Sequence, residues 1–131
     1  MRLTLEKTRR IDIPNDEDNG FVTIKALSMD HLARIESRCT QTMMDGNEDV
    51  QLVLDDYKRA NRVATDCLTG WGNMFDTRGK ELKFNRKNVM MAANLELLIE
   101  NKRMRFLDWV DQEHAKFREE VNSESIEASG N

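Results

Sequence analysis

Apolar positions in this chain change period near Ser28. Before it, Leu3 and Leu5 alternate with Thr4 and Glu6, and Ile11 and Ile13 flank Asp12. Period two with β-branched residues is the pattern of a half-buried strand. Pro14 ends that run, Asn15 to Gly20 is a polar turn, and Phe21-Val22-Thr23-Ile24 starts a returning strand. The sequence therefore predicts a β-hairpin within residues 2–27, whose apolar face needs another layer to cover it.

After Ser28, an N-cap candidate with Asp30 in the first turn, the spacing becomes helical. Leu32, Ile35, Cys39 and Met43 share one face of a helix predicted over 29–44. Asp45-Gly46-Asn47 punctuates the chain, and a second helix is predicted over 47–71. Its stripe is Val50, Val53, Leu54, Tyr57, Ala60, Ala64, Cys67, Leu68 and Trp71, with Tyr57, Leu54, Cys67, Leu68 and Trp71 as expected core. Asp55 and Arg59 are spaced to pair across one turn.

Gly70-Trp71-Gly72 breaks that helix, and Asp76-Thr77-Arg78-Gly79 suits a type I turn ending in a left-handed Gly. Whether the connector 72–84 is a short hairpin or an ordered loop is left open by its pattern. Asn85 caps a helix predicted over 86–99, apolar on more than one side, which Glu100-Asn101-Lys102 breaks or bends. A last helix carries Met104, Leu107, Val110, His114, Phe117 and Val121 on one stripe, with Phe106 and Trp109 off it. The Ser/Glu-rich stretch 122–131 reads as a disordered tail after a single globular domain, 1–121. The expected architecture is α+β, mainly α: the N-terminal hairpin packed on a bundle of about four helices.

Composition adds limits. The chain has 131 residues, one domain's worth, and can bury a core without a disulfide or metal. Charged residues are 34% of the total with both signs mixed, and the net charge is −4. That balance argues against a nucleic-acid binder, which needs a positive surplus against phosphate. Cys39 and Cys67 fall on apolar helical positions and read as small buried hydrophobes of a reduced, cytoplasmic protein. No signal peptide or membrane span is apparent.

Catalytic chemistry has no convergent set of groups. His31 and His114 lack partners at ligand spacing, so no metal is expected. Gly70-Trp71-Gly72 lacks the further Gly and the Lys of a phosphate loop, and the acidic run 15–19 lacks the spacing of a calcium loop. Asp55 and Asp56 are adjacent and face different ways. The basic cluster Lys7, Arg9, Arg10 reads as charged edge protection. No cofactor is implied, and the chain is not expected to be an enzyme.

What stands out is apolar surplus. There are eight methionines, including the pairs Met43-Met44 and Met90-Met91. Methionine is an ordinary core filler, and it also suits surfaces that accept several partners. Met90, Met91, Phe106 and Trp109 are the candidate protein-binding or oligomer surface; the opposing reading is that the N-terminal sheet covers them within one chain.

The segment Gly70-Trp71-Gly72-Asn73-Met74-Phe75, then Asp76-Thr77-Arg78-Gly79-Lys80-Glu81-Leu82-Lys83-Phe84 and a helix cap at Asn85, resembles the tail assembly chaperones of long-tailed bacteriophages and prophages. The N-terminal order of strand, Ile11-Asp12-Ile13-Pro14, polar turn, strand and helix is similar too, and the resemblance spans about residues 3–120. It implies a helical, oligomer-forming late protein of the host cytoplasm. Such a protein binds the tape-measure protein and tail-tube subunits during tail assembly and is missing from the mature virion. Such chaperones are often made in two lengths by ribosomal frameshifting. The alternative is a small helical regulatory or adaptor protein, possibly DNA-binding, suggested by the helix pair 29–44 and 47–71. Against it, the second of those helices carries Glu48, Asp49, Asp55, Asp56 and Asp66.

Overall fold

A computed structural model describes residues 7–44, 46 and 49–129, with side chains through Asn122. The expected strand residues Leu3 and Leu5 lie outside that range. Among the described residues are four helices and seven strands: β1 (Thr8–Asp12), β2 (Phe21–Lys25), α1 (Met29–Cys39), β3 (Thr40–Met44), β4 (Val50–Leu54), α2 (Asp56–Cys67), β5 (Leu68–Gly72), α3 (Arg86–Ala92), β6 (Glu96–Ile99), β7 (Lys102–Arg105) and α4 (Phe106–Ser129). The fold is mixed α+β; at 42% helix and 31% strand it is not mainly α.

The N-terminal hairpin forms with the expected turn. β1 and β2 pair antiparallel from Thr8↔Lys25 to Asp12↔Phe21. Asn15 and Asn19 take the left-handed conformation, which Asn tolerates, and Asp16 Oδ2 accepts from the Gly20 amide at 2.6 Å. Ser28 caps α1, its hydroxyl accepting from the His31 amide at 3.1 Å.

Four stretches predicted as helix are strands instead. α1 stops at Cys39, and Thr40–Met44 pairs with Val50–Leu54 from Thr40↔Leu54 to Met44↔Val50. Over a few residues, period two and the helical period both fit an apolar run. Here Thr40, Thr42, Val50 and Val53 add β-branched character that favours the strand. The Asp55 amide donates to the Cys39 carbonyl at 2.8 Å, closing the hairpin base. Asp55 is then the cap of α2, its carboxylate accepting from the Lys58 amide at 3.1 Å. It is therefore not the partner of Arg59, which pairs with Asp56 and Asp111 instead. A hairpin, not a short turn, separates α1 from α2.

At its far end α2 stops at Cys67, and Leu68–Gly72 joins β2 to complete a sheet of order β1-β2-β5. The register slips between Thr23 and Ile24, and the Thr69 hydroxyl donates to the Thr23 carbonyl at 3.2 Å there. Gly72 faces Phe21 across the ladder, where a Cβ would run into the Phe21 ring. Residues 86–99 divide as well. Asn85 caps α3 as expected, but α3 ends at Ala92, and Glu96–Ile99 pairs with Lys102–Arg105. Glu100 and Asn101 both have positive φ, a two-residue turn of the type that matches strand twist.

The connector 72–84 is ordered as a tight turn. Asp76 Oδ1 accepts from the Arg78 and Lys80 amides, Gly79 sits at φ +80°, and Phe75 bridges Glu81. Trp71 Nε1 donates to the Leu82 carbonyl at 2.9 Å and so ties the connector to β5.

The core gathers Val22, Ile24 and Leu27 with Ile35 and Cys39 of α1, Val63, Ala64 and Cys67 of α2, and Val89 and Ala92 of α3. From α4 it takes Phe106, Leu107, Trp109, Val110 and Phe117. The stripe expected on α4 is present at Leu107, Val110, His114 and Phe117. Cys67 and Leu68 are buried as expected and Trp71 is half-buried. Leu54 and Tyr57 are not core: they are 40% and 59% exposed, because the stripe they extend is broken by the cap at Asp55. α4 continues as helix to Ser129, into the stretch expected to be a tail; side chains from 123 onward, and residues 130–131, lie outside the described residues.

This redistribution has a direct check. Leu107→Ala should cost about 2–5 kcal/mol in urea unfolding, as a fully buried large-to-small change does. Leu54→Ala should cost under about 1 kcal/mol, as at a surface position. Equal losses at the two positions would contradict the placement.

Candidate protein-binding site

What each reactive side chain can do is set by its surroundings. His114 is 2% exposed, and its Nε2 accepts from the Leu27 amide at 3.1 Å. Burial pushes its pKa down to about 4; Asp111 opposes the shift, and Arg118 and His31 add to it. It is a neutral acceptor holding α4 to the segment after β2. His31 lies on the α1 surface, its Nε2 2.8 Å from Asp66 Oδ2. Cys39 and Cys67 are both free and buried, and burial pushes the Cys67 thiol up to about 12, with Asp111 adding. A thiol held protonated is not a nucleophile. Among the described residues, no three His, Cys, Asp or Glu side chains are placed to hold a metal ion. No helix among them is long and apolar enough to cross a membrane.

Charged groups bind the helices together. Arg59 reaches Asp111 of α4 through both terminal nitrogens, at 3.2 and 3.1 Å. Burial works against its charge, but the Asp111 and Asp56 carboxylates outweigh it and hold its pKa above the ordinary value. Arg105 meets Asp108, Asn61 and Asn94, and lies over the Tyr57 ring at 4.3 Å. On the opposite side, Arg9 pairs with Glu120 and stacks over Phe117, while Arg10 lies 3.6 Å over Phe21. These arginines clamp β1 to α4 and to its own sheet, beyond protecting an edge.

The four candidate surface residues divide in two. Met90 and Met91 are exposed, at 49% and 64%. Phe106 and Trp109 are 1% exposed and form part of the core, with ring centroids 6.2 Å apart and Trp71 of β5 6.4 Å from Phe106. They cannot be a surface in this chain. The apolar rings lie off the main stripe because α4 starts where the β6–β7 hairpin folds back. The Phe106 amide donates to the Leu95 carbonyl at 2.7 Å, so the first turn of α4 is covered on more than one side.

The largest group of exposed apolar side chains lies on the β3–β4 hairpin; others, such as Met29, Tyr57 and Phe75, are scattered over the helices and the connector. In β3–β4, every residue from Gln41 to Met44 and from Val50 to Leu54 is exposed, with Leu52 at 75%. Alternation puts Thr40, Thr42 and Met44 on one face with their cross-strand partners Leu54, Leu52 and Val50. Gln41, Met43, Gln51 and Val53 take the other. None of the ten strand residues is charged. The pair forms a two-stranded sheet of its own, so neither outer edge is hydrogen-bonded to another named strand. Natural sheets guard such edges with charge, Pro or a covering element. A second exposed group, Met91, Leu95 and Leu98, lies around the α3 end and β6.

A cleft of about 620 Å³ lies between α1, α2 and α3, with Met90 on its wall. No family model, curated protein or solved structure matches this chain.

The buried histidine gives a pH test. An unfolded chain protonates His114 near its ordinary 6.5, the folded chain only near 4. The unfolded state thus binds the extra proton between those values. The contribution is complete above about 6.5 and is lost as pH falls toward 4, by about 3 kcal/mol. Urea midpoints at about pH 7 and about pH 4.5 should differ less in His114→Gln, which keeps an acceptor but does not titrate. An identical pH response in the variant would show that His114 is not the group responsible.

Proposed function

We propose that the chain acts by binding other proteins and carries out no catalysis, with the β3–β4 hairpin as its main contact surface. One observation carries this reading: a ten-residue, uncharged, two-stranded ribbon stands clear of the core with an apolar face of Met44, Val50, Leu52 and Leu54 in solvent. An isolated two-stranded hairpin is marginal in water and gains from a covering layer. Methionines at its edge let the surface adapt to different side chains.

The resemblance to phage tail assembly chaperones gives this surface a client. A tape-measure protein is long, helical and apolar, and aggregates if left bare. A host-cytoplasmic chaperone that covers it, and meets tail-tube subunits, needs adaptable apolar surface and an acidic balance that keeps the complex in solution. The net charge of −4 fits that requirement. Self-association of several copies along one client belongs to the same proposal and multiplies weak contacts.

Co-expression with a tape-measure protein of a long-tailed phage tests it. The expected result is a soluble complex that survives affinity purification, while Leu52→Asp lowers recovery of the client about tenfold or more. Leu52 is exposed, so circular dichroism of the variant should match the wild type. A client that stays insoluble, or that Leu52→Asp retains equally well, would falsify the proposal.

A further inference from the structure

The cleft between α1, α2 and α3 has a different chemistry from the hairpin. Its rim carries Arg38 from α1, Lys58 and Arg62 from α2, and Arg86 from α3. Asp66 is the one carboxylate in the lining, and it is already engaged, by His31 at 2.8 Å and by Arg62 at 3.2 Å. Among the described residues, Arg38, Lys58 and Arg86 have no ion-pair partner, and all three are exposed. The whole chain is net negative, so this concentration of cations runs against the sign of the molecule. Like charges brought around one hollow repel each other, and an anionic occupant relieves that repulsion.

The floor adds a second requirement. Leu68 and Val89 are buried beneath it, and Phe84 and Met90 remain partly open. Phe84 meets Trp71 edge-on, with centroids 5.4 Å apart, where the connector lies against β5. The volume is that of an ordinary ligand pocket, large enough for one or two apolar side chains. The cations come from three separate elements, with Lys58 and Arg62 one turn apart on α2. Their spread suits carboxylates distributed along a chain.

We propose that this cleft binds an acidic peptide segment of a partner protein, its carboxylates on the rim arginines and lysine and an apolar side chain on the Phe84–Met90 floor. The site uses no residue of β3–β4, so it goes beyond the hairpin reading and does not depend on it. A partner would be held at two points: an apolar contact on the ribbon and a charged, salt-sensitive one here.

Fluorescence anisotropy with a labelled synthetic peptide, Glu-Asp-Glu-Leu-Glu-Asp-Phe-Glu-Glu, tests this on the full chain. Saturable binding is expected, weakening as salt rises. The Gln/Asn counterpart of the peptide, and a version with Ser for Leu and Phe, should each bind more weakly. Arg38→Glu with Arg86→Glu should reduce affinity about tenfold or more. Arg38→Gln with Arg86→Gln, a milder change, decides the matter if charge reversal disturbs folding. Leu52→Asp should leave peptide binding intact, which separates this site from the hairpin. No binding, equal binding of the neutral peptide, unchanged affinity in the glutamine variant, or tighter binding of a single-stranded oligothymidylate would each overturn the assignment.

Discussion

The buried first half of α4 fixes the arrangement of the rest. Leu107, Val110 and Phe117 are buried on its main stripe, Phe106 and Trp109 beside it, and His114 is buried among them as a neutral base. The imidazole accepts the Leu27 amide, a buried donor at the end of the sheet segment that would otherwise be left unsatisfied. A charged imidazole could not accept that bond and would be desolvated, so the contact holds only while His114 is neutral. The paired Arg59–Asp111 contact sets α2 against the same helix, and Trp71 brings β5 to Phe106. Sheet, α2 and the β6–β7 hairpin thus all register on the first half of α4.

That core is filled by β2, α1, α2, α3 and α4 without help from β3–β4. No residue of β3 or β4 belongs to the buried cluster or packs directly against it as a partly buried hydrophobe. The fold therefore leaves a ribbon with apolar side chains in water. In a chain with 34% charged residues, an uncharged, exposed stretch of this kind is costly to leave in water. The cationic cleft sits on other faces of the same helices. The exposed apolar ribbon and the cationic rim thereby lie on different elements.

The sequence was most legible where punctuation was chemical. Ser28 and Asn85 cap helices, Asp76 and Gly79 make their turn, and the polar run after Pro14 returns the chain. It was least legible in short apolar runs. Thr40–Met44, Val50–Leu54 and Glu96–Ile99 each fit a helical stripe when joined to a true helix beside them, and each is a strand. Period alone does not separate the two over five residues; the β-branched threonines and valines and the Glu100-Asn101 pair were the available signals. The apolar surplus was visible, but its location was not. Phe106 and Trp109 stand outside the α4 stripe in the sequence because the hairpin that covers the start of α4 has a helical pattern, and the exposed ribbon continues the apolar stripe of α2. The cleft had no sequence signature, since its cations come from three elements separated along the chain.

Hydrogen exchange on the free chain, and on the chain mixed with the proposed tape-measure client, probes the ribbon itself. Fast exchange of the β3–β4 amides is expected in the free chain, because no layer covers them, with α4 and β2 well protected. In the complex, protection should rise across residues 40–44 and 50–54. Strong protection of those amides already in the dilute free chain, or gains confined to other elements on binding, would contradict the proposed contact surface.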